Sequence, residues 1–220
     1  MTSPQAAKLI PRRAPRFDLC AGSVCLDFIN TLDDRFSGEP KELLKTYYDL
    51  GRFGAESGIL TSALVDRLSA RNILAPDEAG RALASAIRLR EVMFQIFWPI
   101  VQRKPVPRAA VRVLNAFVQS AGRHVELAPG KGRFVWQFDF SRDDLEAPLW
   151  PIARSAGDLL TSDRLELVKA CASKTCEWLF LDESKNHRRR WCDMTKCGNR
   201  AKFQRFYTRQ KKEFRLSSRA

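Results

Sequence analysis

Four cysteines near the C-terminus, Cys171, Cys176, Cys192 and Cys197, stand in the pattern Cys-x4-Cys-x15-Cys-x4-Cys. Two close pairs separated by a loop suit a tetrahedral, all-thiolate zinc site. Each pair occupies a short turn, and the turn aims two sulfurs at one ion. Zinc lowers the thiol pKa, so all four bind as thiolates near neutral pH. Four thiolates leave no position open for water, so the pattern predicts one structural Zn2+ rather than a catalytic one.

A dense basic surface surrounds these cysteines. Lys185, Arg188, Arg189 and Arg190 precede the second pair, and Asn199, Arg200, Lys202, Arg205 and Arg209 follow it. From Cys171 to the end there are 14 Lys or Arg against 5 Asp or Glu, whereas the preceding 170 residues hold 24 against 20. The net charge of +13 is therefore concentrated in the last quarter, which points to an anionic partner for that end. Taken as a helix from Asn199 to Phe214, the segment has Phe203, Phe206, Tyr207 and Phe214 on one side, free to dock on the zinc core or the first domain. Lys202, Arg205, Arg209 and Lys212 fall on another side, suited to phosphates. Arg200, Arg205 and Asn199 are the candidates for reading base edges. Asn199 and Arg200 also fall toward the apolar side, where Arg200 could instead pair internally, for example with Asp182. Duplex DNA is the expected partner. RNA is the alternative, through stacking on Trp178, Trp191, Phe206 and Tyr207, and a protein-docking role is a further one.

Other chemistry-bearing residues are few. Cys20 and Cys25 repeat the x4 spacing but flank small and apolar residues, so they read as buried core thiols. His187 reads as exposed beside the arginine run, and His124 as a surface residue opening a hairpin. Asp27 and Asn30 are polar residues in an apolar segment. They read as a satisfied turn or cap, or as the lining of a pocket for a small-molecule effector. No Gly-rich phosphate loop, nucleophile elbow or HExxH motif occurs, so an enzyme is not expected.

The elements that must position these residues divide into two parts. The chain has 220 residues, of which 45% are hydrophobic, enough for an ordinary domain plus a small module. After a Pro/Arg-rich start, the stretch from Leu19 to Asp34 is either a buried strand or the start of a helix. Helices are expected over Lys41 to about Gly54, Ser62 to Ala70, Asp77 to about Gln102 with Pro99 kinking or ending it, and Pro107 to Ala121. A β-hairpin turns at Pro129-Gly130-Lys131-Gly132, with Phe134, Trp136, Phe138 and Phe140 on one face. Helix returns over Leu145 to Thr161, broken near Pro151. In the cysteine module, Trp178 to Leu181 reads as a short strand, and Gly198 as the residue that lets the backbone turn tightly around the metal. The fold class expected is α+β: a mostly α-helical N-terminal domain with a β-hairpin, followed by a small four-cysteine zinc-finger module. Its divisions are a tail over 1–16, the helical domain over 17–162, the finger with its basic helix over 163–214, and a tail over 215–220. The start of the chain has no apolar signal region, and the most apolar run, residues 92–101, is too short to cross a membrane. A cytoplasmic protein with no membrane partner is expected.

Cys197-Gly198-Asn199-Arg200, after Trp191-Cys192 and the upstream Cys171-x4-Cys176-x-Trp178-Leu179-Phe180-Leu181-Asp182, resembles the CGNR zinc finger. In bacterial proteins this finger follows a helical domain named ABATE, and those proteins are described as stress-induced transcription regulators. Leu26-Asp27-Phe28-Ile29-Asn30-Thr31 is similar to that domain's signature, with Ile29 in place of Val. Glu42-Leu43-Leu44 and Tyr48-Asp49-Leu50 also fit its next helix. The resemblance spans roughly residues 18 to 210. It implies zinc binding, DNA binding and transcription regulation in a stress response. A homodimer reading two half-sites is compatible with so small a finger, but no heptad pattern marks where it would form.

Overall fold

The computed structural model describes residues 16–217 apart from Lys174, with the side chains of Arg205, Arg209 and 211–217 outside the description. Most of the expected N-terminal tail and the last residues of the C-terminal one therefore lie outside the described residues.

The ambiguous apolar stretch near the start is helical. Helix α1 (Val24–Ile29) buries Cys25, Leu26, Phe28 and Ile29. The chain then forms β1 (Leu32–Asp33), turns, and returns as β2 (Lys41–Glu42), antiparallel to β1 with Leu32 opposite Glu42. Helix α2 spans Tyr47–Glu56, later than the expected start at Lys41. Thr46 and Asp49 set that start through a reciprocal cap. The Thr46 hydroxyl accepts from the Asp49 N–H at 3.3 Å, and the Asp49 carboxylate accepts from the Thr46 N–H at 3.0 Å.

Helices α3 (Ser62–Leu74), α4 (Pro76–Val101) and α5 (Arg108–Gly122) follow. Pro76 opens α4 at a position that needs no N–H donor, and Pro99 falls in its last turn, so the helix ends at Val101. Helix α4 is the hub. It contacts α1, α2, α3 and α5, and it buries Ala86, Leu89, Met93 and Phe97. It also buries Arg90, at 2% exposure. The Arg90 guanidinium donates to both Glu42 oxygens at 2.7 Å and to Glu91 at 2.9 Å, which fastens β2 to the hub. A charge this deep is tolerated because its donors have partners.

The hairpin forms as expected from β3 (Val125–Pro129) and β4 (Phe134–Phe138), with Leu127 opposite Trp136. Phe138 and Phe140 pack near Trp150, and His124 stacks on the same indole at 3.6 Å, so this histidine is not a free surface residue. Phe134 and Trp136 stay exposed. Helix α6 (Leu149–Leu160) starts later than Leu145 and is not broken at Pro151. Pro151 is its third residue, where an N–H has no intrahelical acceptor, so losing that donor costs nothing. A 3-10 turn, Asp163–Leu167, leads into the cysteine module. There β5 (Val168–Ala170) and β6 (Leu179–Leu181) pair antiparallel, and α7 runs over Asn199–Ser217.

Candidate metal centre and nucleic-acid interface

The four ligands are placed by short, well-bonded turns. Cys171 directly follows β5, and its N–H donates to the Trp178 carbonyl at 2.8 Å. Cys176 closes a turn onto the Ser173 carbonyl at 3.1 Å, and Glu177 takes a left-handed φ of 53° to leave that turn. Across the site, the Ala172 N–H donates to the Arg190 carbonyl at 2.8 Å, which ties the two knuckles together. The Asp193 carboxylate then accepts from Thr195 at 2.6 Å and from the Lys196 N–H at 3.3 Å, opening the wide turn Met194–Gly198 that carries Cys197. Gly198, expected to let the backbone turn around the metal, has no left-handed φ, and a Cβ there would meet at 2.7 Å only the movable end of the exposed Met194 side chain, so the turn does not depend on glycine.

The sulfurs converge. Cys176 and Cys192 are 3.5 Å apart, Cys192 and Cys197 are 3.7 Å apart, and all four sulfurs lie within 4.8 Å of one another. Around a tetrahedral ion with Zn–S of about 2.3 Å, sulfurs stand roughly 3.8 Å apart. The cage therefore fits Zn2+. Its thiols are almost fully buried. Hydrogen bonds from Cys176 and Cys192 push the Cys171 thiol far down, while hydrogen bonds with Cys171 and Cys176 push Cys192 up, so the four thiols ionise together only with a cation to offset their mutual repulsion.

The finger is bonded into the helical domain. The Asn30 amide donates to the Leu179 carbonyl at 2.9 Å and accepts from the Leu179 N–H at 3.1 Å. The Leu181 N–H donates to the Ala21 carbonyl at 2.8 Å, and the Trp178 indole N–H donates to Asp33 at 2.8 Å. Lys196 pairs with Asp18. Asn30, weighed above as an effector contact, thus spends its carbonyl and an N–H on β6. Asp27 accepts from the Ala21 N–H at 2.9 Å, and burial pushes its carboxyl up to about 6. Neither residue lines the cavity beside the metal site. That cavity, of about 140 Å3, is bounded instead by Asp18, Cys20, Asp33, Trp178, Lys196, Arg200 and three of the ligands, among others.

The basic residues separate into two kinds. Lys185, Arg188, Arg190, Asn199, Arg200 and Lys202 are exposed. Arg189 is not available. Its guanidinium lies 4.6 Å over the Phe180 ring and donates to the carbonyls of Trp191 at 2.9 Å, Cys20 at 3.2 Å and Cys192. Its neighbours stand on the rim of an open cleft of about 1120 Å3 that also includes Arg103, Glu166 and Lys169. Arg200 donates to the Thr175 hydroxyl at 2.9 Å and does not reach Asp182. Asp182, at 0% exposure, is taken by Lys169 at 2.5 Å, by Ser184, and by the Arg189 N–H at 2.9 Å. Burial alone would raise this carboxyl, but these donors outweigh it and hold the group well below the usual carboxylate range. His187 turns its Nδ1 onto the Asp182 carbonyl at 2.8 Å. Asn199 donates to the Thr195 carbonyl at 3.0 Å, capping the turn before its own helix. The side chains of Arg205 and Arg209 lie outside the described residues.

Two departures from the sequence reading matter for function. Phe203, Phe206 and Tyr207 do not dock: they are 62%, 57% and 48% exposed. Cys20 is not a core thiol but a half-buried one on the wall of the metal-site cavity, whereas Cys25 is fully buried against Ser23. The repeated x4 spacing was the only sign of it, and spacing cannot say which knuckle a distant cysteine will meet.

The family model described as "Putative stress-induced transcription regulator", ABATE, matches residues 22–163, and that of the CGNR zinc finger matches residues 168–210. The chain belongs to the ABATE family and carries a CGNR zinc finger that holds one structural zinc through Cys171, Cys176, Cys192 and Cys197. No curated protein matches the sequence significantly. Among the described residues, no helix is long and apolar enough to cross a membrane.

Proposed function

We propose that this protein is a cytoplasmic transcription regulator that holds duplex DNA on the basic surface of its zinc finger. The observation carrying this reading is the exposure of Arg188, Arg190, Arg200 and Lys202 on one metal-stapled module that is itself bonded to the helical domain. Arginines rimming an open cleft suit phosphates, and Arg200 and Lys202 in the first turn of α7 stand where a helix would meet a groove. The zinc is structural in this reading, and no catalysis is assigned: four thiolates fill a tetrahedral shell. The helical domain acts in oligomerisation or effector sensing, with Asn30 kept out of the latter by its bonds to β6.

The test is duplex DNA binding at several salt concentrations for wild type and for Arg188→Glu with Arg190→Glu. Losing two phosphate contacts should lower the log–log salt slope by about 2. An unchanged slope would remove these arginines from the interface.

A second reading is single-stranded RNA, favoured by the uncovered Phe203, Phe206 and Tyr207, since unpaired bases stack on such rings. Competition between duplex DNA and single-stranded RNA at one salt concentration separates the two. Phe206→Ala should weaken RNA selectively if stacking is the mode.

A further inference from the structure

Cys20 is a fifth thiol beside a site that needs four. It shares one small cavity with Cys176, Cys192 and Cys197, so Cys20 and Cys192 face the same enclosed space. The backbone holds this approach in place. One nitrogen of the Arg189 guanidinium donates to the Cys20 carbonyl at 3.2 Å and also to the Cys192 carbonyl. On either side, Asp18 is paired with Lys196, and the Ala21 carbonyl accepts from Leu181 at 2.8 Å. Residues 18, 20 and 21 are thus all tied to the finger, which fixes Cys20 against the second knuckle.

Its position also differs in access. Cys192 is 3% exposed, while Cys20 is only partly buried and opens on the cavity. It lies outside the group of four sulfurs that surround the ion, so it carries no metal when they do. An accessible, unligated thiol next to a second cysteine is the arrangement in which oxidation proceeds to a disulfide.

We propose that Cys20 is a peroxide-modified residue whose oxidation withdraws Cys192 from the zinc. The Cys20 thiol reacts with hydrogen peroxide to give a sulfenic acid and water: one S–O bond forms, the O–O bond breaks, and sulfur is oxidised as peroxide is reduced. The Cys192 thiolate then attacks the Cys20 sulfur. An S–S bond forms, the S–O bond breaks, and hydroxide leaves. Three thiolates remain on the ion, the closed shell is opened, and zinc is released. A thiol reductant reverses the disulfide and restores the ligand set. This inference rests on the zinc site and not on nucleic-acid binding, so it stands or falls separately from the proposed function.

The experiment uses the zinc-loaded full chain and hydrogen peroxide. Zinc release is followed with a chromogenic chelator, and non-reduced peptides are mapped by mass spectrometry. Wild type should release its zinc and yield a Cys20–Cys192 linked peptide, and dithiothreitol with added zinc should reverse both. Cys20→Ser should slow release by at least about tenfold, whereas Cys25→Ser should match wild type. Cys20→Ala serves as a second variant should the serine disturb folding, and the peptide map of wild type needs no variant. Equal release from wild type and Cys20→Ser, no zinc release from wild type, or disulfides joining only the four ligands would each overturn the proposal.

Discussion

Asn30 shows how a single side chain can matter more than its chemistry suggests. It is buried, and its amide is matched to both backbone groups of Leu179. Asn30→Ala would leave a buried N–H and C=O without partners, at about 1–3 kcal/mol each. The variant should therefore lose several kcal/mol in denaturant unfolding, and a change within experimental error would show that β6 finds other partners. Asp27, on the same helix, gives a pH signature. Its carboxyl is raised by burial to about 6 from an ordinary value of 3.8, so the folded form holds its proton more tightly than the unfolded chain. Such a group contributes stability below the unfolded value, and that contribution is lost as pH rises through the folded one. Asp27→Asn keeps an acceptor for the Ala21 N–H and removes the buried charge. Its stability advantage over wild type should widen between about pH 5 and about pH 7. An advantage of equal size at both would place the titration elsewhere.

At the scale of elements, the sequence declared the helices and the hairpin because their periodicity is local. It misplaced boundaries where a polar residue had a non-local role. Glu42 reads as helix in its own neighbourhood, but Arg90 claims it from 48 residues away and leaves it in a strand. Pro151 reads as a breaker until its place in the first turn of α6 is known. The metal ligands were legible because zinc imposes spacing on the chain itself. Arg189, Asn30 and Cys20 were not, since their partners lie far off in sequence and nothing in local composition marks them. The hairpin shows the reverse case, an aromatic pattern correctly assigned to one face that turns out half uncovered. Trp136 is 65% exposed. Trp136→Ser should shift the thermal midpoint by less than about 2 °C, measured by calorimetry on the zinc-loaded chain. A larger loss would mean that this face is covered in solution.

For the whole molecule, the finger is not an appendage. Its strand β6 is bonded to Asn30 and to the Ala21 carbonyl beside α1, and its Trp178 is bonded to Asp33, so metal binding and the stability of the helical domain are linked. Chelation of zinc should lower the thermal midpoint of the entire chain in one cooperative transition, and Cys192→Ala should do the same. Calorimetry distinguishes this from two independent transitions, in which the helical domain would keep its zinc-loaded midpoint.

The Asn30–Leu179 pair also sets an order of events at the ribosome. The two residues are 149 positions apart, so α1 is made long before its partner exists. At about 5–20 residues per second, the gap lasts roughly 7–30 s. Through that interval the nascent helical domain presents an unmatched amide beside the apolar surface that β6 will cover. Completion then waits on the last quarter of the chain and on its metal. The metal that folds the finger is thus also what seats the last cover on the first helix made.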